Sequence, residues 1–177
     1  MIRPSKEELK QAYGKLVPDV IGLGLKVLFC GINPGLYSAA IGHHFGRPGN
    51  RFWKVIHQAG FTPRLYTPYE DGMLLELGYG ITNLVDRATA NATELTDEEL
   101  RQGARNLEAK VRQYQIQKVA IQGIGAYRKA FIRPDASLGL QSDKLGEAKV
   151  WVLPNPSGLN AHFQIPELVR EYRRLLE

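Results

Sequence analysis

Lys26-Val27-Leu28-Phe29-Cys30-Gly31-Ile32-Asn33-Pro34-Gly35 is an apolar run that stops at a glycine and turns on an Asn-Pro-Gly triplet. A short continuous apolar run bounded by turn residues reads as a strand buried on both faces, the habit of parallel sheets. Lys118-Val119-Ala120-Ile121-Gln122 and Lys149-Val150-Trp151-Val152-Leu153 have the same character, and residues 81–85 form a weaker strand. Helical segments separate them. Asn50 precedes Phe52, Val55, Ile56 and Ala59 on one helical face, stopped near Gly60. Residues 71–77 read as a short helix with Met73, Leu74 and Leu77 inward. Thr96-Asp97-Glu98-Glu99 is a capping box that opens a helix through Leu100, Ala104, Leu107 and Val111. Gly125 opens a helix that runs to Phe131, and the last helix carries Leu168, Val169, Tyr172 and Leu175.

Strands alternating with helices predict a three-layer αβα sandwich with a central, mainly parallel sheet. The 177 residues suit one domain, residues 1–177. Within it, residues 1–19 read as an N-terminal helical extension. Ser5 and Glu8 form a capping box there, with Leu9, Tyr13 and Leu16 at helical spacing. Residues 31–50 hold glycines 31, 35, 42, 46 and 49 and read as one long loop, the kind of segment that often carries function.

Composition sets the bounds. Hydrophobic residues make up 44% and charged residues 23%, an ordinary globular balance. No apolar run could span a bilayer, so no membrane partner is expected. The N-terminus has no hydrophobic signal segment, and a cytoplasmic protein is the expectation. Cys30 is the only cysteine, which excludes an internal disulfide and a Cys-ligated cluster within one chain. The formal charge of +5 suits a polyanionic partner without requiring one. Gly123-Ile124-Gly125 lacks the third glycine of a dinucleotide fingerprint, because Arg128 stands there.

Ligands of parallel sheets gather at the carboxyl ends of the strands. Two unusual loops occupy that position: Gly31-Ile32-Asn33-Pro34-Gly35 and Pro154-Asn155-Pro156-Ser157-Gly158-Leu159. Pro34 restricts Asn33 to an extended backbone and so presents a rigid amide at the mouth of a strand. An amide can accept from a water and donate to a carbonyl, but it is a poor proton acceptor near neutral pH.

Residues 27–36 closely resemble the first motif of the mismatch-specific uracil/thymine DNA glycosylases, within the uracil-DNA glycosylase superfamily. Pro48-Gly49-Asn50-Arg51-Phe52-Trp53-Lys54, Thr82-Asn83-Leu84-Val85-Asp86-Arg87 and Val152-Leu153-Pro154-Asn155-Pro156-Ser157-Gly158-Leu159 are similar to three later ones. The resemblance runs from about residue 20 to the C-terminus. Gly42-His43-His44-Phe45 and Asn83 look more like the thymine branch, whereas the final motif looks bacterial, which leaves the base preference open.

The resemblance implies a base-excision enzyme that flips a nucleotide out of duplex DNA and hydrolyses its N-glycosidic bond. Its partner would be double-stranded DNA with G:U or G:T mismatches. No obligate protein partner is expected, and a monomer is the natural reading. By resemblance, Asn33 positions the attacking water and Phe45 stacks on the base. Gly31 and Ile32 line the pyrimidine site, Asn83 bonds its edge, and His44, with His43, contacts base or phosphate. Gly158 and Leu159 match a wedge that fills the vacated stack. Ser157 and Ser38 would donate to phosphates and Asn160 would reach the opposite strand. Asp86 either assists water activation, pairs with Arg87 or Arg51, or caps the following turn. No lysine follows Gly31 in these motifs except Lys54, on a helix, so a monofunctional enzyme leaving an abasic site is expected. No metal and no cofactor is implied. The competing reading is a DNA lesion-binding module without catalysis.

Overall fold

The computed structural model describes residues 2–177. Helix α1 (Lys6–Gln11) opens on the expected box: Glu8 N donates to the Ser5 hydroxyl and Ser5 N to the Glu8 carboxylate. It ends before Tyr13 and Leu16, which are exposed, while Ala12 and Val17 are buried. Strand β1 (Val27–Gly31) is buried along its whole length. The stretch expected as one loop contains helix α2 (Leu36–Ile41), started at Gly35 and stopped by Gly42 in the left-handed region. Its six residues contain no breaker; the flanking glycines that suggested a loop are its caps.

Helix α3 (Phe52–Ala59) buries the apolar face read from the sequence and stops at Gly60. A 3₁₀ segment, Pro68–Leu77, follows. Its period of three turns Asp71 and Leu74 inward with Leu77 half-buried, and leaves Met73 outside at 40% exposure. Strand β2 (Tyr79–Asn83) starts two residues earlier than expected, because Tyr79 and Gly80 pair with Val27 and Leu28. Leu84 and Val85 have left the strand, although their N–H groups still donate to Gly31 and Ile32 carbonyls. Helix α4 (Asp97–Tyr114) is capped by Thr96 and Glu99 as read. Strand β3 (Lys118–Gln122), helix α5 (Ile124–Ala130), strand β4 (Gly139–Leu145), strand β5 (Ala148–Leu153) and helix α6 (Ile165–Arg173) complete the chain. The sequence did not announce β4. It is an antiparallel edge strand, Gly-Leu-Gln-Ser-Asp-Lys-Leu, with only its end residues buried.

The five strands lie in the order β2-β1-β3-β5-β4, and all pairs but β4–β5 are parallel. Phe29, Phe52, Ile56, Leu168 and Tyr172 belong to one core, on the α3 and α6 face. Leu28, Leu107, Val119, Ile121 and Val150 belong to the other, under α4 and α5. These are the three layers expected. From β1 the chain moves outward to β2, then returns past β1 to β3. The loops after β1 and β3 therefore diverge and leave a crevice at their carboxyl ends. No helix among the described residues is long and apolar enough to cross a membrane.

Helix α4 reaches the segment after β2 only because of Gly103. A Cβ there would sit 2.2 Å from the Leu84 carbonyl oxygen. Gly103→Ala should lower stability by about 1–3 kcal/mol, read as a fall in the urea midpoint. Gly125→Ala, where a Cβ meets nothing within 4 Å, should leave the midpoint unchanged or raise it.

Candidate active site

A cavity of about 370 Å³ fills that crevice. It collects Gly31 from the end of β1 and Asn33 from beyond it, Asn83 from the end of β2, Gln122 from the end of β3 and Asn155 from beyond β5. Every residue expected at the site lines it except His43, Gly158 and Asp86. Among the described residues its lining contains no carboxylate and no lysine; Arg47 is its one formally charged group at neutral pH. A larger cavity of about 690 Å³ lies at the opposite end of the sheet, between α4 and the starts of β3 and β5, and holds none of the motif residues.

The Asn33 side chain is fixed by two bonds. Its Nδ2 donates to the Arg87 carbonyl at 3.0 Å and to Thr89 Oγ1 at 2.8 Å. The Thr89 hydroxyl passes its own proton to the Asn91 carbonyl at 2.8 Å. A carbonyl can only accept, so the atom facing Arg87 must be the nitrogen, and the amide has one orientation. Both donors are spent. Oδ1 has no protein partner among the described residues, and it is the atom left for a ligand. Thr89 had no sequence signal, since it lies outside the four motifs.

Phe45 stands on a backbone with φ 51°, the left-handed region. That conformation costs a non-glycine residue on the order of 1–2 kcal/mol. Its ring stacks on Phe52 at 4.1 Å between centroids, and Phe52 packs edge-on against Phe29 at 5.3 Å. The cavity aromatic is thus the top of a column rooted in the core. Gly31 sits between Phe45 and Asn83; a Cβ would meet Asn83 Oδ1 at 2.6 Å and Phe45 Cζ at 3.7 Å. The Asn83 side chain, buried with the rest of β2, makes no hydrogen bond among the described residues. Its amide therefore offers the cavity both a donor and an acceptor.

The histidine loop is held from behind. His44 Nε2 lies 2.9 Å from the Pro18 carbonyl and must be the donor. The His44 N–H donates to Asp71 Oδ2, and His43 Nδ1 lies 3.1 Å from Asp71 Oδ1. Burial lowers the His44 pKa below its ordinary 6.5, against the opposing pull of the Pro18 bond and of Asp71 and Asp19. The Ser38 hydroxyl, itself buried, accepts from Gly46 N at 2.9 Å. These side chains shape the loop around Phe45 and leave the ring of His44 no free donor.

Arg51 organises the second loop. Its guanidinium donates to the carbonyls of Pro156, Ser157, Asn160 and Phe163 at 2.5–3.3 Å. Asn160 is committed at both ends, Nδ2 to the Asn155 carbonyl and Oδ1 from His162 N. The Ser157 hydroxyl accepts from Leu159 N. Gly158 must be glycine, because a Cβ would lie 2.7 Å from the Gly49 carbonyl oxygen. Leu159, held at the tip, is 73% exposed. Below the loop, Gln122 Nε2 donates to Tyr172 OH and Tyr172 OH to the Pro154 carbonyl. Sequence reasoning missed Arg51, Gln122 and Tyr172 as tethers: Arg51 and Tyr172 bond backbone carbonyls and Gln122 bonds the distant Tyr172 hydroxyl, and such partners leave no pattern.

Asp86 is not brought to the site. It is exposed, outside the cavity, and neither expected arginine pairs with it. Arg87 binds Glu99 instead at 2.6 Å, holding that carboxyl down to about 2, and Arg51 is occupied by carbonyls.

The chain is thus a three-layer α/β protein whose parallel-sheet crevice holds a stacked aromatic and an oriented amide, with an apolar tip beside it. The chain belongs to the uracil DNA glycosylase superfamily, whose family model matches residues 18–177. Its fold is similar to the solution NMR structure of a Methanosarcina acetivorans protein described as a candidate uracil DNA glycosylase. The TM-score is 0.61 at 21% identity, over 93% of this chain and 99% of that one.

Two outcomes are expected here. Arg51→Lys keeps the charge but not the fork, so backbone amide exchange in residues 157–163 should quicken by about 10-fold or more. Below pH 6.5 the unfolded chain takes up a proton that folded His44 resists. Stability should therefore fall as pH drops from about 6.5 toward the lowered folded value. His44→Gln should flatten that part of a stability–pH curve.

Proposed function

We propose that this chain is a monofunctional, mismatch-specific uracil/thymine DNA glycosylase, acting on uracil, and on thymine or other modified pyrimidines, opposite guanine in duplex DNA. The observation that carries the reading is the Asn33 amide, locked by two donor bonds with its oxygen free in a cavity without carboxylates.

The extruded pyrimidine stacks on Phe45, over Gly31 and beside Ile32. The Asn83 amide meets its edge. Asn33 Oδ1 accepts a hydrogen bond from one water and directs that water's lone pair at the anomeric carbon. The glycosidic C–N bond breaks, its electron pair leaves with the base, and the sugar passes through an oxocarbenium-like state before the water oxygen bonds to it. The water's surplus proton goes to solvent or to the departing base. Leu159 fills the gap left in the stack, on a loop that needs no reordering. The absence of a proton acceptor at Asn33 removes a factor of ~10²–10⁴ in rate. Bases that leave readily as anions are thus preferred, uracil and electron-poor 5-substituted pyrimidines first. With no lysine in the cavity lining, no Schiff base forms and the product is an abasic site.

The test is single-turnover incubation with duplexes carrying U or T opposite G, U opposite A, and U in a single strand, with alkali cleavage reporting abasic sites. Release is expected from the G:U duplex. Asn33→Ala should slow it by about 10²-fold while gel-shift affinity is kept, and Asp86→Ala should have no effect. Leu159→Ala should weaken retention on abasic duplex. Tight binding with no release from any substrate would leave a DNA-binding module in place of an enzyme.

A further inference from the structure

The region that matches the family begins at residue 18, yet the residues just before it reach the catalytic centre. Ala12 and Val17 are buried with Ala39 and Ala88 in a small core of their own, separate from the two main ones. Gly14 N donates to the Ala88 carbonyl at 2.9 Å, and Ala88 N donates to the Lys15 carbonyl at 2.8 Å. Arg87 Nη1 donates to Tyr13 OH at 3.3 Å. On its other side the same strip pairs with the first loop, through Thr89 N to the Pro34 carbonyl at 3.2 Å and a bridge between Gly35 and Thr89. Residues 87–89 are therefore a ribbon clamped between residues 13–15 and residues 34–35. It is this ribbon that supplies both acceptors of the Asn33 amide.

We infer that residues 12–17 are a positioning element for Asn33, acting through Ala88 and setting where the amide oxygen holds its water. None of these residues touches substrate. Their effect belongs in the rate of bond breakage and not in DNA affinity, because the loop that carries Leu159 is tethered separately by Arg51. The inference rests on the glycosylase reading for its kinetic consequence and on geometry alone for its structural one.

Gly14 provides the handle. It has φ +78°, and a Cβ there would meet nothing within 4 Å. Gly14→Pro removes the N–H and forbids that φ. Gly14→Asn keeps the N–H and tolerates the left-handed backbone. Two readouts are taken on the full chain. One is single-turnover release from the G:U duplex with affinity for abasic duplex. The other is solvent exchange of the Asn33 side-chain amide protons by NMR, assigned by their loss in Asn33→Ala. Gly14→Pro is expected to slow release by about 10- to 100-fold with affinity unchanged and amide protection lost, and Gly14→Asn to behave as the parent. Equal behaviour of the two variants, or protection that survives Gly14→Pro, overturns the inference. If the parent releases no base, the glycosylase reading fails and the exchange measurement alone decides: protection lost only in Gly14→Pro supports the positioning element, and any other pattern overturns it. Should Gly14→Pro not fold, Val17→Ala loosens the same small core, and the same two readouts apply with the same signs.

Discussion

The orientation of the Asn33 amide, on which the proposed reading turns, depends on the two hydrogen bonds that its Nδ2 gives to Arg87 and Thr89. An amide with free rotation would present nitrogen and oxygen to a water in turn. One whose nitrogen is spent presents oxygen alone. The neighbouring architecture serves that restriction. Pro34 stiffens the backbone on one side of Asn33. The register of β1 with β2 brings Gly31 opposite Asn83, and the two ladder bonds beyond it carry the chain from Leu84 round to Arg87. Gly103 lets α4 press on that turn, and Glu99, from the same helix, fixes Arg87. The Asn33 amide is thus oriented by a carbonyl 54 residues away in sequence.

The two loops at the crevice are stabilised by different means. The Asn33 loop is held by strand pairing and by a short ribbon, so its position follows from the sheet. The Leu159 loop has almost no regular structure. Four carbonyls converge on one guanidinium, an arrangement that Lys could not satisfy because an ammonium lacks a planar fork of donors. Gln122 and Tyr172 anchor its root to β3 and α6. Separate anchoring allows the cavity and the Leu159 loop to be altered independently.

Much of this was legible in the sequence, for identifiable reasons. β1, β3 and β5 are buried on both faces, so their apolar runs have one interpretation. α3 and α4 carry full apolar stripes with caps. β4 was illegible because an edge strand facing solvent has little reason to alternate, and α2 because its bounding glycines read equally well as loop. The cavity residues were legible because motif positions at strand ends converge in a parallel sheet. Asp86 was misleading. It follows Val85, whose N–H still reaches the first loop, but by then the chain has turned outward and its carboxylate faces water. Thr89 and Arg51 donate to backbone carbonyls and Gln122 to a distant tyrosine hydroxyl, and no residue pattern records such partners.

Phe45 has a kinetic consequence. Its ring is stacked on Phe52, on a left-handed backbone that the surrounding loop holds in place. On the glycosylase reading proposed above, a ring already held in place on the protein side would leave the opening of the base pair as the gate, an event more frequent for a wobble than for a Watson–Crick pair, and lesions would be told apart partly through the mechanics of the DNA.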